Sequence, residues 1–211
     1  MVALNPVEAR VVGCLMEKEI TTPEYYPLSL NALVNACNQK SSRDPVMELT
    51  EPDVRGSLFA LEELGLVRTL ADSRVSKFEH RTRDQWNLRR DEFAIICQLL
   101  LRGPQTSAEL RARSERFYTF DDASAAQSTL ERLAARTEGT GPLTVLLPRQ
   151  PGSREARWMH LLSGPVAAES FVSANLAAPA QAAPDLALTD RIEALEERVR
   201  VLEERLQAVF G

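Results

Sequence analysis

Seven basic side chains fall between positions 68 and 90 (Arg68, Arg74, Lys77, Arg81, Arg83, Arg89 and Arg90), against three acidic ones, Asp72, Glu79 and Asp84. A confined excess of cations suits one kind of chemistry, holding phosphates by charge and hydrogen bond while counterions leave a nucleic-acid backbone. The whole chain carries a formal charge of −5, so broad attraction to polyanions is excluded and a local grip is expected. Upstream, Lys40 and Arg43 stand in the polar stretch NQKSSRDP. There they are expected to touch phosphates and fix register, in a segment whose plainer role is to connect two helices.

Other chemistries find no support in spacing. His80 and His160 are the only histidines and no C-x-x-C pair exists, too few ligands for a structural zinc site. Neither G-x-x-x-x-G-K-[ST] nor G-x-G-x-x-G occurs among the nine glycines, so no phosphate loop is expected. Nothing resembles a nucleophile elbow, and acids and hydroxyls do not cluster with catalytic spacing. No enzyme, cofactor or metal is therefore expected. Cys14, Cys37 and Cys97 are odd in number and sit in apolar helical patterns; they read as buried thiols of a reducing cytoplasm. No apolar run approaches the ~20 residues of a membrane span, and the start MVALNPVEARV lacks the pattern of a secretory signal.

The elements that must position the basic residues follow from periodicity. Val7, Val11, Cys14 and Leu15 recur at helical spacing. Ser29 caps a second helix carrying Leu30, Leu33, Val34 and Cys37. Thr50, with Asp53 three residues on, opens a third helix with Val54, Leu58 and Leu61 inward, and Gly65 suits the left-handed residue that ends it. Residues 66–70 and 75–79 read as strands around the turn Ala71-Asp72-Ser73-Arg74. The same order then recurs. Phe93, Ile96, Cys97 and Leu100 form a helix ended by Gly103-Pro104, and Thr106 with Glu109 boxes the next. Asp121 or Asp122 caps a third, and residues 143–147 and 156–162 make strands turning at Gln150-Pro151-Gly152-Ser153.

The expected fold is mainly α with small β-hairpins (α+β): two tandem winged helix-turn-helix domains plus a C-terminal coiled-coil helix. The domains run 1–88 and 89–164, followed by an Ala/Pro-rich linker over 165–187 and a coiled-coil helix over 188–211. An alternative for part of the linker is a short helix from Val166 to Leu176 docked on the second domain. In the tail, Leu188, Ile192, Leu195, Val199, Leu202, Leu206 and Val209 alternate spacings of four and three, one coiled-coil seam. Arg191 and Arg198 flank it at g, with Glu196 and Glu203 at e. A parallel pair sets each Arg against a Glu, so a homodimer is expected; the alternative is the same helix folded back on its own chain.

The stretches PVEARVVGCLMEKEITTPEYYPLSLNALVNACNQKSSRDPVMEL, VRGSLFALEELGLVR and SRVSKFEHR resemble the YceH-type family of uncharacterised bacterial proteins, over roughly residues 5–160. The resemblance implies tandem winged helices in a bacterial cytoplasm, and no catalytic residues. Phe59 stands where the resemblance leads one to expect a polar residue.

Two functions are carried forward. One is a dimeric regulator on double-stranded DNA: Arg74, Lys77, Arg81 and Arg83 hold phosphates, Lys40 and Arg43 set register, and Arg55 reads a base. The other is an acidic adaptor that docks on a partner protein without touching DNA. The third helix favours the latter, because Glu51, Asp53, Glu62 and Glu63 outnumber Arg55, whereas base reading calls for Arg, Lys, Asn or Gln.

Overall fold

The computed structural model describes residues 3–71 and 75–165. Arg74, the linker beyond residue 165, the candidate helix Val166–Leu176 and the dimer seam from Leu188 to Val209 lie outside the described residues. Residues Met1–Val166 form one compact unit. It is about half helical with small antiparallel sheets, an α+β fold.

The elements are α1 (Pro6–Thr21), a 3₁₀ turn (Pro23–Tyr25), β1 (Leu28–Ser29), α2 (Leu30–Cys37), α3 (Glu51–Glu63), β2 (Val67–Leu70) and β3 (Lys77–His80). A single helical turn α4 (Thr82–Gln85) leads to α5 (Arg90–Arg102), α6 (Ser107–Ser114), α7 (Ala123–Ala134), β4 (Thr144–Leu146) and β5 (Trp158–His160). Helix starts follow local chemistry. Thr50 Oγ1 accepts from Asp53 N–H while Asp53 accepts from Thr50 N–H, and Thr106 and Glu109 repeat the box. Asp122 rather than Asp121 caps α7 by accepting from Ala125 N–H. Gly65 (φ 68°) follows α3, where a side chain would strain the left-handed backbone.

The hairpin is more than two strands. Its sheet has the order β1–β3–β2, all antiparallel, with Leu28 opposite Phe78 and Val67 opposite His80. Leu28 and the α2 cap Ser29 thus cover the outer edge of β3, which would otherwise offer unpaired backbone. In the second repeat Gln105, just before the α6 cap, exchanges backbone bonds with Trp158 of β5 at 3.0 and 2.7 Å. One device closes both hairpins onto the start of a helix. Neither short pairing has a periodic signal, so neither was legible in sequence.

One apolar core runs across the boundary expected at residue 88. Its centre is α1 on α5. A Cβ at Gly13 would stand 2.9 Å from Leu101 Cδ2 and 3.2 Å from Leu100 Cβ, so glycine lets the two helices approach. Cys97 Sγ lies 3.6 Å from the Gly13 carbonyl oxygen. All three cysteines are buried and free.

Candidate nucleic-acid interface

Three cations of the basic segment, Arg68, Arg81 and Arg83, meet carboxylates of the chain itself. Arg68 Nε lies 3.3 Å from Glu79 across the β2–β3 pair, and Arg81 lies 3.6 Å from Asp84. Arg83 reaches Glu19 on α1 at 3.1 Å and lays its guanidinium 3.7 Å from the centre of the Phe93 ring. A cation so placed is held by charge and by the ring's electrons together. Glu19 also stands 3.3 Å from His80 Nε2. His80 and then Arg83 hold the Glu19 carboxyl below the usual carboxylate range against the opposing effect of burial. Of the expected phosphate contacts in the hairpin, Lys77 stays exposed without a charged partner among the described residues.

The polar stretch after α2 divides. Lys40 is exposed. Arg43, expected to meet phosphate, turns inward instead, its side chain fully sequestered. Its Nη1 and Nη2 grip the two Glu17 oxygens at 3.1 and 2.5 Å, and Nε and Nη2 donate to the Ala36 carbonyl at 3.1 and 3.0 Å. The physical reason is a loop that carries free carbonyls past α1. Arg10, equally buried, donates to the Cys37 and Pro45 carbonyls at 3.1 and 2.6 Å. Asn38 brackets Leu49 by donating to its carbonyl (2.8 Å) and accepting from its N–H (2.7 Å). Burial alone would raise Glu17, yet the Arg43 hydrogen bonds and charge, with Lys18, bring it below the usual range. Such a pair specifies the loop's shape, and removal of one partner leaves a stranded charge.

Arg55, the expected base reader, pairs with Glu51 one turn earlier at 2.6 Å on the outer face of α3. That face also carries exposed Phe59, Glu62 and Glu63, and Gly56 has nothing near it. Glu62 accepts from Thr69 N–H at 2.7 Å, tying α3 to the hairpin. In the second repeat Arg132 clamps Asp91 and Glu92, and Arg157 holds Glu109 at 2.8 Å. Among the described residues no group of His, Cys, Asp and Glu could hold a metal ion, and no helix is long and apolar enough to cross a membrane.

Residues 4–153 match the family model described as a protein of unknown function, DUF480. The chain belongs to that family. Relatives named as UPF0502 proteins agree across most of its length. One from Koribacter versatilis (strain Ellin345) is 58% identical over 160 residues, 75% of this chain and 73% of its own. Another, from Aeromonas hydrophila subsp. hydrophila, is 48% identical over 203 residues, 92% and 88% of the two chains. The UPF0502 protein YceH of Salmonella paratyphi B is 47% identical over 199 residues, 92% and 89%. The resemblance read from the N-terminal stretches is thus a family membership, and none of these names states an activity for the DUF480 family.

The carboxylates that silence the cations, Glu17 and Glu19, escaped the sequence reading. One signal was present: Arg10, Cys14 and Glu17 are spaced four and three apart, so two charged residues share a helix face with a buried thiol. A charged pair on an inward face needs a partner brought by another element, and here that partner is Arg43.

Proposed function

We propose that this protein is a docking adaptor that uses the outer face of α3, and that it does not read DNA. In this proposal the two helix–helix–helix–hairpin repeats are tandem winged helices, and α3 sits where a DNA-reading member would carry its recognition helix. The observation that carries the proposal is Phe59, 65% exposed on a helix face whose other charges are Glu51, Asp53, Glu62 and Glu63, with Arg55 bound to Glu51. Asp53 and Glu51 also occupy the first turn of α3, where a free helix start would otherwise attract phosphate. An apolar anchor inside an acidic rim fits a partner with an apolar pocket edged by Lys or Arg. Pairing through the seam over 188–211 would present two such faces.

Regulation of transcription through DNA is the reading this displaces, because Arg81 and Arg83 meet Asp84 and Glu19, Arg43 is buried on Glu17 and Arg55 pairs with Glu51. That leaves Lys40 and Lys77 as its exposed cations without a charged partner among the described residues. A gel-shift titration on random duplex at ~50 mM salt decides between them, since phosphate-driven binding is strongest at low ionic strength. No retardation is expected. Retardation that disappears when Lys77 and Arg81 are changed to Glu overturns the adaptor reading. In a parallel pull-down, the partners retained by the parent chain should be lost with Phe59→Ser and kept with Lys77→Glu.

A further inference from the structure

A cleft of about 420 Å³ opens between the end of α1, the turn after α2, and the second repeat's α5 and α6. That volume suits a small molecule. Lys18, Arg102, Arg113 and Arg116 line it, joined by Ser41 and Ser42 of the NQKSSRDP turn. With their partners included, five cations face three carboxylates: Glu17 is shared by Arg43 and Lys18, Glu109 lies 3.8 Å from Arg113, and Glu115 is the third. The ends of α1, α5 and α6 contribute about half a negative charge each, and this offsets only part of the excess.

Two of the four lining cations are already engaged. Lys18 lies 3.0 Å from Glu17, and Arg113 donates to Gln105 Oε1 at 2.7 Å. Arg102 and Arg116 have no hydrogen bond or ion pair among the described residues. Arg102 Nε is sealed from solvent without a partner. One turn earlier, Gln98 is 4% exposed, and its Oε1 is equally sealed and unpartnered. Burial first, then repulsion from Arg113 and Arg43, lowers the Arg102 pKa. A partly buried cation held beside like charges is costly. It marks a place where an arriving anion restores the balance.

We propose that this cleft binds the phosphoryl group of a small molecule, with Arg102 and Arg116 as its principal ligands and the Ser41 and Ser42 hydroxyls as further donors. Guanidinium groups present paired N–H donors that match a phosphate's oxygens. The phosphoryl group comes either as inorganic phosphate or on a phosphorylated metabolite. The site stands apart from the α3 face and does not depend on the adaptor reading.

Equilibrium dialysis of the full chain tests the site, using radiolabelled inorganic phosphate in one arm and radiolabelled glycerol phosphate in the other, with ionic strength held constant by sodium chloride. Saturable one-to-one binding is expected, weakened about tenfold or more by Arg102→Gln and by Arg116→Gln. Arg149→Gln, outside the cleft, should leave binding unchanged. Tighter binding of glycerol phosphate assigns the site to a phosphorylated metabolite, and equal or tighter binding of phosphate assigns it to the free ion. Arg116 is exposed, so its variant keeps the test intact should Arg102→Gln not fold. Absence of saturable binding in both arms, or binding that Arg116→Gln retains in full, overturns the proposal.

Discussion

Two groups of cations in this molecule look alike as charges and behave differently. Those of the β2–β3 hairpin are close neighbours in the chain, and most meet carboxylates: Arg68 meets Glu79, Arg81 meets Asp84, and Arg83 meets Glu19. Those of the cleft come from three separate places: Lys18 at the end of α1, Arg102 at the end of α5, and Arg113 with Arg116 at the end of α6. Arg102 and Arg116 meet no carboxylate among the described residues. Density of basic residues along a sequence therefore measures charge before pairing, whereas binding depends on charge after pairing. A cation matched at 3–4 Å by a carboxylate of its own chain has much of its field cancelled before a ligand arrives.

The deepest pairing should show the largest effect when broken. Glu17→Ala leaves the sequestered Arg43 guanidinium without its carboxylate, and a loss of roughly 3–5 kcal/mol in denaturant unfolding is expected. A change under 1 kcal/mol would mean that the carbonyls of Ala36 and Ser42 suffice for it.

Acid should separate the two repeats. His160 in β5 is buried, and desolvation lowers its pKa to about 4. The unfolded chain takes up this proton near pH 6.5 while the folded chain does not, so stability falls as pH drops from about 6.5 towards 4, by ~3 kcal/mol in full. His160→Gln should flatten that slope. Glu17, with its folded pKa depressed, contributes stability that is present above its unfolded value near pH 4.3 and is lost as pH falls through the lower folded value. Unfolding curves taken at successive pH values should therefore lose the His160 contribution before that of Glu17.

The hairpin comparison can be reversed by design. If its own acids silence it, Glu79→Gln with Asp84→Asn should create weak duplex binding at ~50 mM salt that vanishes by ~200 mM. A double variant that still fails to shift DNA would place the cause in shape rather than in charge pairing. The smallest effect belongs to the exposed pair: Arg55→Ala should cost no more than ~0.5 kcal/mol, because both partners are largely solvated.

Local chemistry was well represented in the sequence. The caps at Ser29, Thr50 and Thr106, the stop at Gly65 and the two hairpins stand within a few residues of their expected places. Each depends on neighbours a turn away, and periodicity reports such neighbours directly. The short strand Leu28–Ser29 and the Gln105–Trp158 bridge were not legible, because a pairing of one or two residues has no period. Arg43 was misplaced for a related reason: a polar loop normally faces water, and only the carbonyls left free beside α1 pull this arginine inward. Its partner Glu17 lies 26 residues away, a distance over which the sequence carries no register.

By itself, then, the sequence determined the order of helices and strands, the inward apolar faces and the family, since all of these rest on side-chain type and short-range spacing. Only the tertiary structure decided which charges remain free. Coulomb attraction acts through space, and packing α1 against the loop, the hairpin and α5 chose the partners: Glu17 for Arg43, Glu19 for Arg83, and no acid among the described residues for Arg102.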